Sequence, residues 1–516
     1  MTRFSRMPFF VQLMLVSGAA MLLPAFYAIV LREWDDARAF FYAATLFSAM
    51  ALFIAIARFN PDGTDALENA RRHRDREGRN QLLTLLASYT ALPLILAVPF
   101  SEATRDTTFF NAYFEMVSAL TTTGATLFDD PGRLSRPVHL WTALVGWLGG
   151  LFAWVTAVAV LAPMNLGGFE VISSRRIGQS ETRASQIDRV ALASERIARF
   201  TARLFPVYLG LTLALWFALA MVGSSPYVAF CHAMSVMATS GISPVGGMTE
   251  AGTGFMGELL VFAFLFLALS RKTFTADQGH RAAPPLWQDS EMKIGLALIV
   301  VVPMFLFLRH WVAVLEVSGD WTFARAISSL WGGTFMVLSF LSTAGFESMG
   351  WEEARLWSGL QAPGVLLMGL AIFGGGVATT AGGVKLIRLY ALVRHGEREI
   401  EKLISPNSVG GAGANARRIR REGAYVAWVY FMVFAFTIAA VMMLLSLFGL
   451  HFEQAAVFTI SALTTTGPLV NVVGSVPMSY AELGVAEKAI LAATMVLGRL
   501  EMLAIIALLN PEFWRR

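Results

Sequence analysis

The chain has 516 residues, of which 56% are hydrophobic and 15% charged, and its formal net charge is +4. Its mean hydropathy is +0.59, and a soluble fold could not cover so much apolar surface. The composition therefore predicts a polytopic membrane protein. The basic residues collect in a few loops, which favours membrane topology over a nucleic-acid partner. A single cysteine, Cys231, excludes an internal disulfide framework and a cysteine metal site.

Ten apolar runs of roughly 20 residues, the length that crosses a bilayer, follow one another along the chain. They start near residues 9, 38, 82, 139, 200, 252, 293, 356, 425 and 486. The first run has no small-residue cleavage site, so we interpret it as a retained helix and not as a signal peptide. The pattern predicts an all-α polytopic membrane protein with ten spans.

The loops between these runs alternate in charge. Arg and Lys are concentrated at 70–80, 173–203, 270–282 and 388–421, whereas the intervening loops carry Asp and Glu. By the positive-inside rule the basic loops face the cytoplasm, and the N- and C-termini fall on the same side. The stretch GGAGANA at 410–416 lies in a basic loop with no strand before it, so a flexible linker explains it better than a dinucleotide site.

Four shorter apolar segments on the outer side share one pattern. They read AYFEMVSALTTTG (112–124), AFCHAMSVMATSG (229–241), GTFMVLSFLSTAG (333–345) and AAVFTISALTTTG (455–467). All end in glycine, with threonine two positions earlier and serine six positions earlier. This recurrence predicts four repeated units, each made of a span, a half-crossing pore helix, a filter segment and a second span. We place the units at 80–165, 198–272, 292–396 and 424–516, after two extra spans within 1–60.

The filter segments have the chemistry that a bare cation needs. Non-helical backbone inside a membrane is tolerated where it lines a water-filled path, so four segments around one axis can aim rings of carbonyl oxygens at a potassium ion. Glycine allows the torsions that such a segment requires, and each half-helix points the negative end of its dipole at the pore. The predicted ligands, mainly backbone carbonyls, are Thr121, Thr122, Thr123, Gly124, Ala238, Thr239, Ser240, Gly241, Ser342, Thr343, Ala344, Gly345, Thr464, Thr465, Thr466 and Gly467.

A simpler interpretation makes each Thr-Gly an ordinary helix C-cap, with glycine after the last turn; four aligned copies argue against it. For the serine column, close helix packing is the simpler explanation; its members are Ser118, Ser235, Ser339 and Ser461. The column three residues before the serines breaks the symmetry. It contains Glu115, His232, Met336 and Phe458, and we assign the first two only buried polar contacts.

The third unit contains a second irregularity, GGGVATTAGGVKLIR at 374–388, in the middle of its closing span. So many glycines cannot hold a regular helix, and the stretch fits neither a phosphate loop nor a dinucleotide fingerprint. On the cytoplasmic side of the filter it would act as a mobile gate; a Gly-rich packing kink is the alternative. The predicted gate residues are Gly374, Gly375, Gly376, Thr379, Thr380, Gly382, Gly383, Lys385 and Arg499.

The last span places Arg499 and Glu501 at its centre. Neither side chain can reach an interface from there, so each must face the pore or a partner. Below the filter, Arg499 would repel cations unless it pairs with carbonyls of the 374 loop, which makes it a gate candidate. A purely structural Arg–Glu pair with other spans is the alternative.

The filter segments TTTGA, ATSGI, STAGF and TTTGP, the interrupted helix and the ending LGRLEMLAIIALLNPEFWRR resemble the Trk/Ktr/HKT superfamily of potassium transporters, TrkH-type membrane subunits in particular. The two extra N-terminal spans are similar to the same branch. The resemblance implies a fourfold pseudosymmetric fold, a homodimer, an intramembrane gate at 374–383 with Arg499 directed toward it, and a cytosolic TrkA-type nucleotide-binding regulatory subunit. It also implies potassium selectivity, since serine at the first filter glycine accompanies sodium permeation in the plant branch and Gly124 stands here.

The sequence thus predicts potassium uptake across a bacterial inner membrane, with K+ as the transported ion and no covalently bound cofactor. An ion-coupled symporter that uses H+ or Na+ and alternating access is the second hypothesis. An enzyme is disfavoured, because the sequence offers no metal-spaced cluster and no convergent Ser/His/Asp set.

Overall fold

The computed structural model describes residues 9–57, 74–164, 166–172, 193–270, 289–313, 323–360, 362–405, 421–474 and 478–509. Within these ranges the secondary structure is helical and contains no strand, which confirms the predicted all-α class. Most of the predicted cytoplasmic basic loops, the linker at 410–416 and the chain ends at 1–8 and 510–516 lie outside the described residues.

The helices of the first half, in chain order, are α1 (Phe9–Leu31), α2 (Trp34–Ala57), α3 (Arg74–Ala103), α4 (Phe109–Leu120), α5 (Arg136–Thr156), α6 (Phe169–Ile172), α7 (Ala193–Val222), α8 (Pro226–Ala238) and α9 (Gly254–Leu265). Those of the second half are α10 (Ser290–Ala313), α11 (Phe323–Leu341), α12 (Trp351–Ser358), α13 (Gly364–Phe373), α14 (Leu386–Ile404), α15 (Arg421–Leu447), α16 (Phe452–Leu463), α17 (Leu469–Val473), α18 (Val485–Leu500) and α19 (Met502–Leu509).

Eight of the described helices are long and apolar enough to cross a membrane, so the count of ten spans is not confirmed. One of the eight is α11, which the sequence assigns to a half-crossing pore helix. Three predicted spans are shorter or broken. The apolar helix that begins at Gly254 ends at Leu269, the span near 356 is interrupted after α13, and the last span divides into α18 and α19.

The four predicted pore helices are all present as α4, α8, α11 and α16. Two of them begin at hydroxyl N-caps: Thr108 accepts from the Asn111 amide and Ser225 from the Val228 amide. Their C-terminal halves are fully buried, which brings all four helix ends into the core of the molecule. A set of buried helix ends, each followed by a polar segment, is the architectural basis of the site.

The N-terminal pair packs on the first unit and, through Tyr27, on α8 of the second unit. Helices α1 and α2 contact each other and also α3, and the rings of Tyr27 and Tyr227 stack at 5.5 Å. Large apolar side chains of the pair point outward, among them Phe26 and Phe53, which are 68% and 72% exposed. In a polytopic membrane protein such side chains face lipid.

Candidate functional site

All four pore helices end in the same backbone motif. A threonine in the left-handed region follows each helix: Thr122 (φ 56°), Thr239 (φ 50°), Thr343 (φ 58°) and Thr465 (φ 54°). Its N–H donates to the carbonyl three residues back, at 2.9, 3.1, 3.2 and 3.3 Å respectively. The N–H of the following residue donates to the carbonyl of the serine that stands six residues before the closing glycine, at 2.8, 3.0, 2.9 and 2.9 Å. This pair of hydrogen bonds is the Schellman C-cap.

The C-cap interpretation of the sequence was therefore right about the helix ends and wrong about the residue. Threonine takes the left-handed C-cap position, and the glycine two residues farther along is also left-handed in three of the four units, at Gly124, Gly241 and Gly345. A β-branched residue with positive φ is a genuine outlier, and such a conformation costs on the order of 1–3 kcal/mol. Because it recurs in every unit, the surrounding structure must impose it, as happens at functional sites.

The four closing glycines form a ring in which each unit touches the next. A Cβ at Gly124 would meet the Ser240 carbonyl, one at Gly241 the Ala344 carbonyl, and one at Gly345 the Pro468 ring at 3.1 Å. The ring closes where a Cβ at Gly467 would meet the Ala125 amide. In addition, the Gly467 amide donates to the Thr123 carbonyl at 2.6 Å. The units thus follow one another around a single axis, and glycine is needed because the backbones approach so closely.

The serine column fastens the filter segments to their own pore helices. The hydroxyl of Ser118 donates to the Ala125 carbonyl at 2.7 Å, and that of Ser339 donates to the Phe346 carbonyl at 2.8 Å. Ser461 donates to the Thr466 carbonyl at 2.8 Å. In the second unit, Ser235 shares a hydrogen bond with Ser240 at 3.1 Å. Close packing alone, the interpretation from the sequence, missed this role.

The hydroxyls of the segments fall into two groups. In the first and fourth units the hydroxyls of the first and third threonines of the triplet hydrogen-bond each other, Thr121 with Thr123 at 2.8 Å and Thr464 with Thr466 at 3.2 Å. The central hydroxyls behave differently. Those of Thr122 and Thr465 are buried without a hydrogen-bond partner within the described part of the chain, and those of Thr239 and Thr343 bond the loop described next.

The loop at 374–385 is irregular and almost wholly buried. Gly374 and Gly383 have φ values of 64° and 73°, and Ala378 and Lys385 also lie at positive φ. Backbone hydrogen bonds hold its ends: the Gly376 amide donates to Ala268 at 3.0 Å, and the Val384 amide to Ile372 at 2.8 Å. The loop is thus a compact, hydrogen-bonded segment and not a kinked helix.

This loop lies directly against the filter. The Thr239 hydroxyl donates to the Thr380 hydroxyl at 3.1 Å, and the Gly382 amide donates to the Thr343 hydroxyl at 2.8 Å. A Cβ at Gly382 would also collide with the Thr464 carbonyl. The structure therefore brings Thr380 and Gly382, two of the predicted gate residues, against three of the predicted filter segments.

Arg499 reaches the loop, as its sequence position predicts: its Nη1 donates to the Thr380 carbonyl at 2.6 Å. The alternative, a structural Arg–Glu pair with another helix, applies to Glu501 and not to Arg499. Glu501 pairs with the fully buried Arg388 of α14 at 2.8 Å. The Arg388 guanidinium also lies 3.7 Å from the ring centroid of Tyr430. Lys385 donates to the Ala381 carbonyl from within the loop. Arg499 thus contacts the loop directly, and Glu501 neutralises Arg388, which follows the loop in the sequence.

Three polar residues, to which the sequence assigned no role beyond buried polar contacts, hold the C-terminal ends of the predicted filter segments. Glu115 accepts from the Thr126 hydroxyl at 3.0 Å and from the Leu127 amide. His232 bonds the Ser243 hydroxyl at 2.8 Å, and the Tyr480 hydroxyl donates to the Gly467 carbonyl at 3.2 Å. Glu115 and His232 occupy the asymmetric column of the alignment, which was the available signal; Tyr480 gave none.

The ligands that the site offers are oxygens of the backbone and of hydroxyls. In the ranges that the structure describes, no group of three or more His, Cys, Asp or Glu could hold a metal ion. Rings of neutral oxygens suit a monovalent cation that must enter and leave readily. Chemically, the arrangement can replace the hydration shell of a cation and let it through, with the 374–385 loop at one end.

Comparison with known proteins identifies the family of this chain. The chain matches the family described as "TrkH: Cation transport protein" over residues 49–246 and 260–515. It is 28% identical over 514 residues to the Trk system potassium uptake protein TrkH of Salmonella typhimurium, a match that covers 98% of this chain and 97% of that protein. The identity to the protein of the same name from Escherichia coli strain K12 is 26% over 514 residues, again with 98% and 97% covered.

The crystal structure of the potassium transporter TrkH from Vibrio parahaemolyticus has the same fold, with a TM-score of 0.77, 24% identity and 100% of both chains covered. The family match confirms the resemblance seen in the sequence, the multi-pass membrane fold and the prediction that the chain is not an enzyme. By its sequence over most of its length, the chain belongs to the TrkH family of cation transport proteins.

Proposed function

We propose that the chain carries potassium ions inward across a bacterial inner membrane, through a filter made by the four Thr-Gly segments. The observation that carries the proposal is the closed ring of four glycines, each preceded by a left-handed threonine. A ring of backbone oxygens in a buried site replaces the hydration shell of an ion without adding a fixed charge. Potassium as the ion is supported by the names of the relatives from Salmonella typhimurium and Escherichia coli.

The same proposal makes the 374–385 loop the gate. The support is its position against the Thr239 and Thr343 hydroxyls and its contact with Arg499. A cation that leaves the filter meets this loop and a guanidinium, both of which oppose its passage. Movement of the loop toward the cytoplasm would remove both obstacles at once.

Assembly and regulation are proposed on the family resemblance and on charge. A homodimer and a cytosolic TrkA-type nucleotide-binding subunit are the expected partners, and the basic loops offer such a subunit a surface. By the positive-inside rule, the charge of these loops supports a cytoplasmic location of both chain ends. Copurification of a nucleotide-binding subunit that changes potassium flux is the test of this part.

An ion-coupled symporter is the second candidate, and one observation favours it more than the sequence suggested. Two predicted spans are broken, one at the 374 loop and one at Glu501, which has φ 68° between α18 and α19. Carrier sites typically lie at broken helices near the midplane. Buried Lys385, Arg388 and Glu501 near these breaks could take part in ion coupling.

Flux through the purified protein in liposomes separates the two mechanisms. The conduction proposal predicts potassium currents that follow the electrochemical gradient and persist when a protonophore abolishes the pH gradient. Saturating uptake that stops with the pH or sodium gradient would contradict conduction and support the symporter. Absence of potassium flux under every gradient would contradict both.

A further inference from the structure

A carboxylate of the second unit holds the filter of the third. Glu258 lies on α9, is 2% exposed, and accepts three hydrogen bonds. Two come from side chains, the Trp331 indole N–H at 2.7 Å and the Ser348 hydroxyl at 3.0 Å. The third comes from the Met349 amide. Because hydrogen bonds to a buried carboxylate are charge-assisted, they are stronger than those between neutral groups.

Two of the three donors lie just beyond the filter. Ser348 and Met349 follow Gly345 by three and four residues, and the intervening Phe346 carbonyl is held by Ser339 at 2.8 Å. The Ser348 hydroxyl also accepts from the Gly350 amide at 3.1 Å. Trp331, the remaining donor, belongs to the pore helix α11. Glu258 therefore joins the outer end of the third filter segment to its pore helix.

The first unit shows what Glu258 replaces. There Glu115, on the unit's own pore helix, accepts from the Leu127 amide, three residues after Gly124. The corresponding residue of the third unit is Met336, whose sulfur accepts from the Ser348 amide at 3.4 Å. A thioether is a weak acceptor, so the third segment lacks the carboxylate that holds the first. Glu258 supplies it from the neighbouring unit.

We infer that Glu258 is a positioning residue that sets the geometry of the third filter segment and thereby the discrimination between cations. The inference rests on the proposed function of the filter. Glu258 does not contact the ion: its two oxygens are occupied by the three donors. It acts as the outer partners of a metal ligand do, by orienting the groups that bind.

The test compares Glu258→Gln with Glu250→Gln in proteoliposomes. Glu250 lies eight residues earlier in the same unit and is exposed, so its substitution removes the same charge without touching the filter. Loss of an outer partner of an ion site typically weakens binding by about 10–100-fold. We expect Glu258→Gln to raise the potassium concentration at half-maximal flux by about tenfold and to lower the potassium-to-sodium flux ratio, whereas Glu250→Gln leaves both unchanged.

Two milder variants, Trp331→Phe and Ser348→Ala, keep the test decisive. Glu258→Ala leaves three donors unpaired and can fail to fold, whereas Trp331→Phe and Ser348→Ala each remove a single donor. We expect both to shift half-saturation in the same direction by less than Glu258→Gln does. Wild-type half-saturation and ion ratio in Glu258→Gln, Trp331→Phe and Ser348→Ala would overturn the inference. A wild-type protein without potassium flux would overturn the proposed function itself.

Discussion

The filter ring and the loop at 374–385 are both rich in threonine and glycine, but they are held in different ways. The filter ring consists of the four segments that end at Gly124, Gly241, Gly345 and Gly467. The ring has four copies with one shared torsion, and each copy touches the next. The loop has one copy and is held by single hydrogen bonds to several elements. The segments of the ring contact one another through their backbones, whereas the loop is joined to the ring by individual hydrogen bonds at Thr239 and Thr343. We infer that the ring selects and the loop gates.

The largest effect that we expect is on stability and concerns the buried ion pair of Arg388 and Glu501, next to the loop. Arg388→Gln would leave the Glu501 carboxylate buried without its charged partner, and breaking a buried ion pair in this way costs about 3–5 kcal/mol. Thermal unfolding in detergent should show a clear fall in Tm. Arg394→Gln, on the same helix, removes an exposed pair with Glu397 and should change stability by about 0–1 kcal/mol. Equal effects of the two substitutions would contradict the role assigned to Arg388.

Within the ring, Gly467→Ala tests packing alone, because Gly467 is the one ring glycine without positive φ in the described structure. Its new Cβ would collide with backbone atoms of Gly124 and Ala125. Overpacking typically costs about 1–3 kcal/mol. Since the clash displaces the ring backbone, we expect that strain to raise the permeation barrier, so potassium flux should fall by roughly 5–150-fold at equal expression. Gly369→Ala, where a Cβ meets nothing within 4 Å, should transport normally. Normal flux in both would show that the ring is not tightly packed.

Deletion of residues 379–382 tests the loop. These residues carry the contacts to Thr239, Thr343 and Arg499, so their removal should open the inner end of the filter. We expect basal potassium flux to rise about tenfold, which corresponds to a barrier lower by about 1.4 kcal/mol. Unaltered basal flux at normal expression would contradict the gating role and leave the loop a packing element.

The smallest effect should come from the serine column. Ser339→Ala removes one buried hydrogen bond to the Phe346 carbonyl, worth about 1 kcal/mol. Half-saturation for potassium should rise modestly. On the same pore helix, Thr334→Ala removes a hydroxyl that bonds only within the helix and should leave half-saturation unchanged. A larger shift with Thr334→Ala than with Ser339→Ala would contradict the fastening role.

The candidate filter residues could be proposed from the sequence because the signal repeats. Gly124 alone would be a common helix end, whereas its three counterparts at equal spacing from Ser and Thr define a set. The loop was visible because so many glycines exclude a helix. Such signals rest on composition and periodicity, which a sequence displays directly.

What could not be predicted depends on torsions and on contacts between distant residues. Propensity assigns the left-handed position to glycine, so threonine there was unexpected. The tie between Glu258 and Ser348 spans 90 residues of sequence, and nothing local marks it. The break at Glu501 lies in an apolar run without Pro, so the sequence predicts one continuous helix where the structure has α18 and α19.

The potassium-to-sodium flux ratio of Gly124→Ser tests the central claim most directly. Gly124 has φ 72°, and a side chain there would collide with the Ser240 carbonyl. The account predicts that the purified variant, in liposomes, still conducts potassium but admits sodium at a ratio closer to one than the wild type does. A variant that conducts with the wild-type ratio would contradict the assignment of these four segments as the selectivity filter.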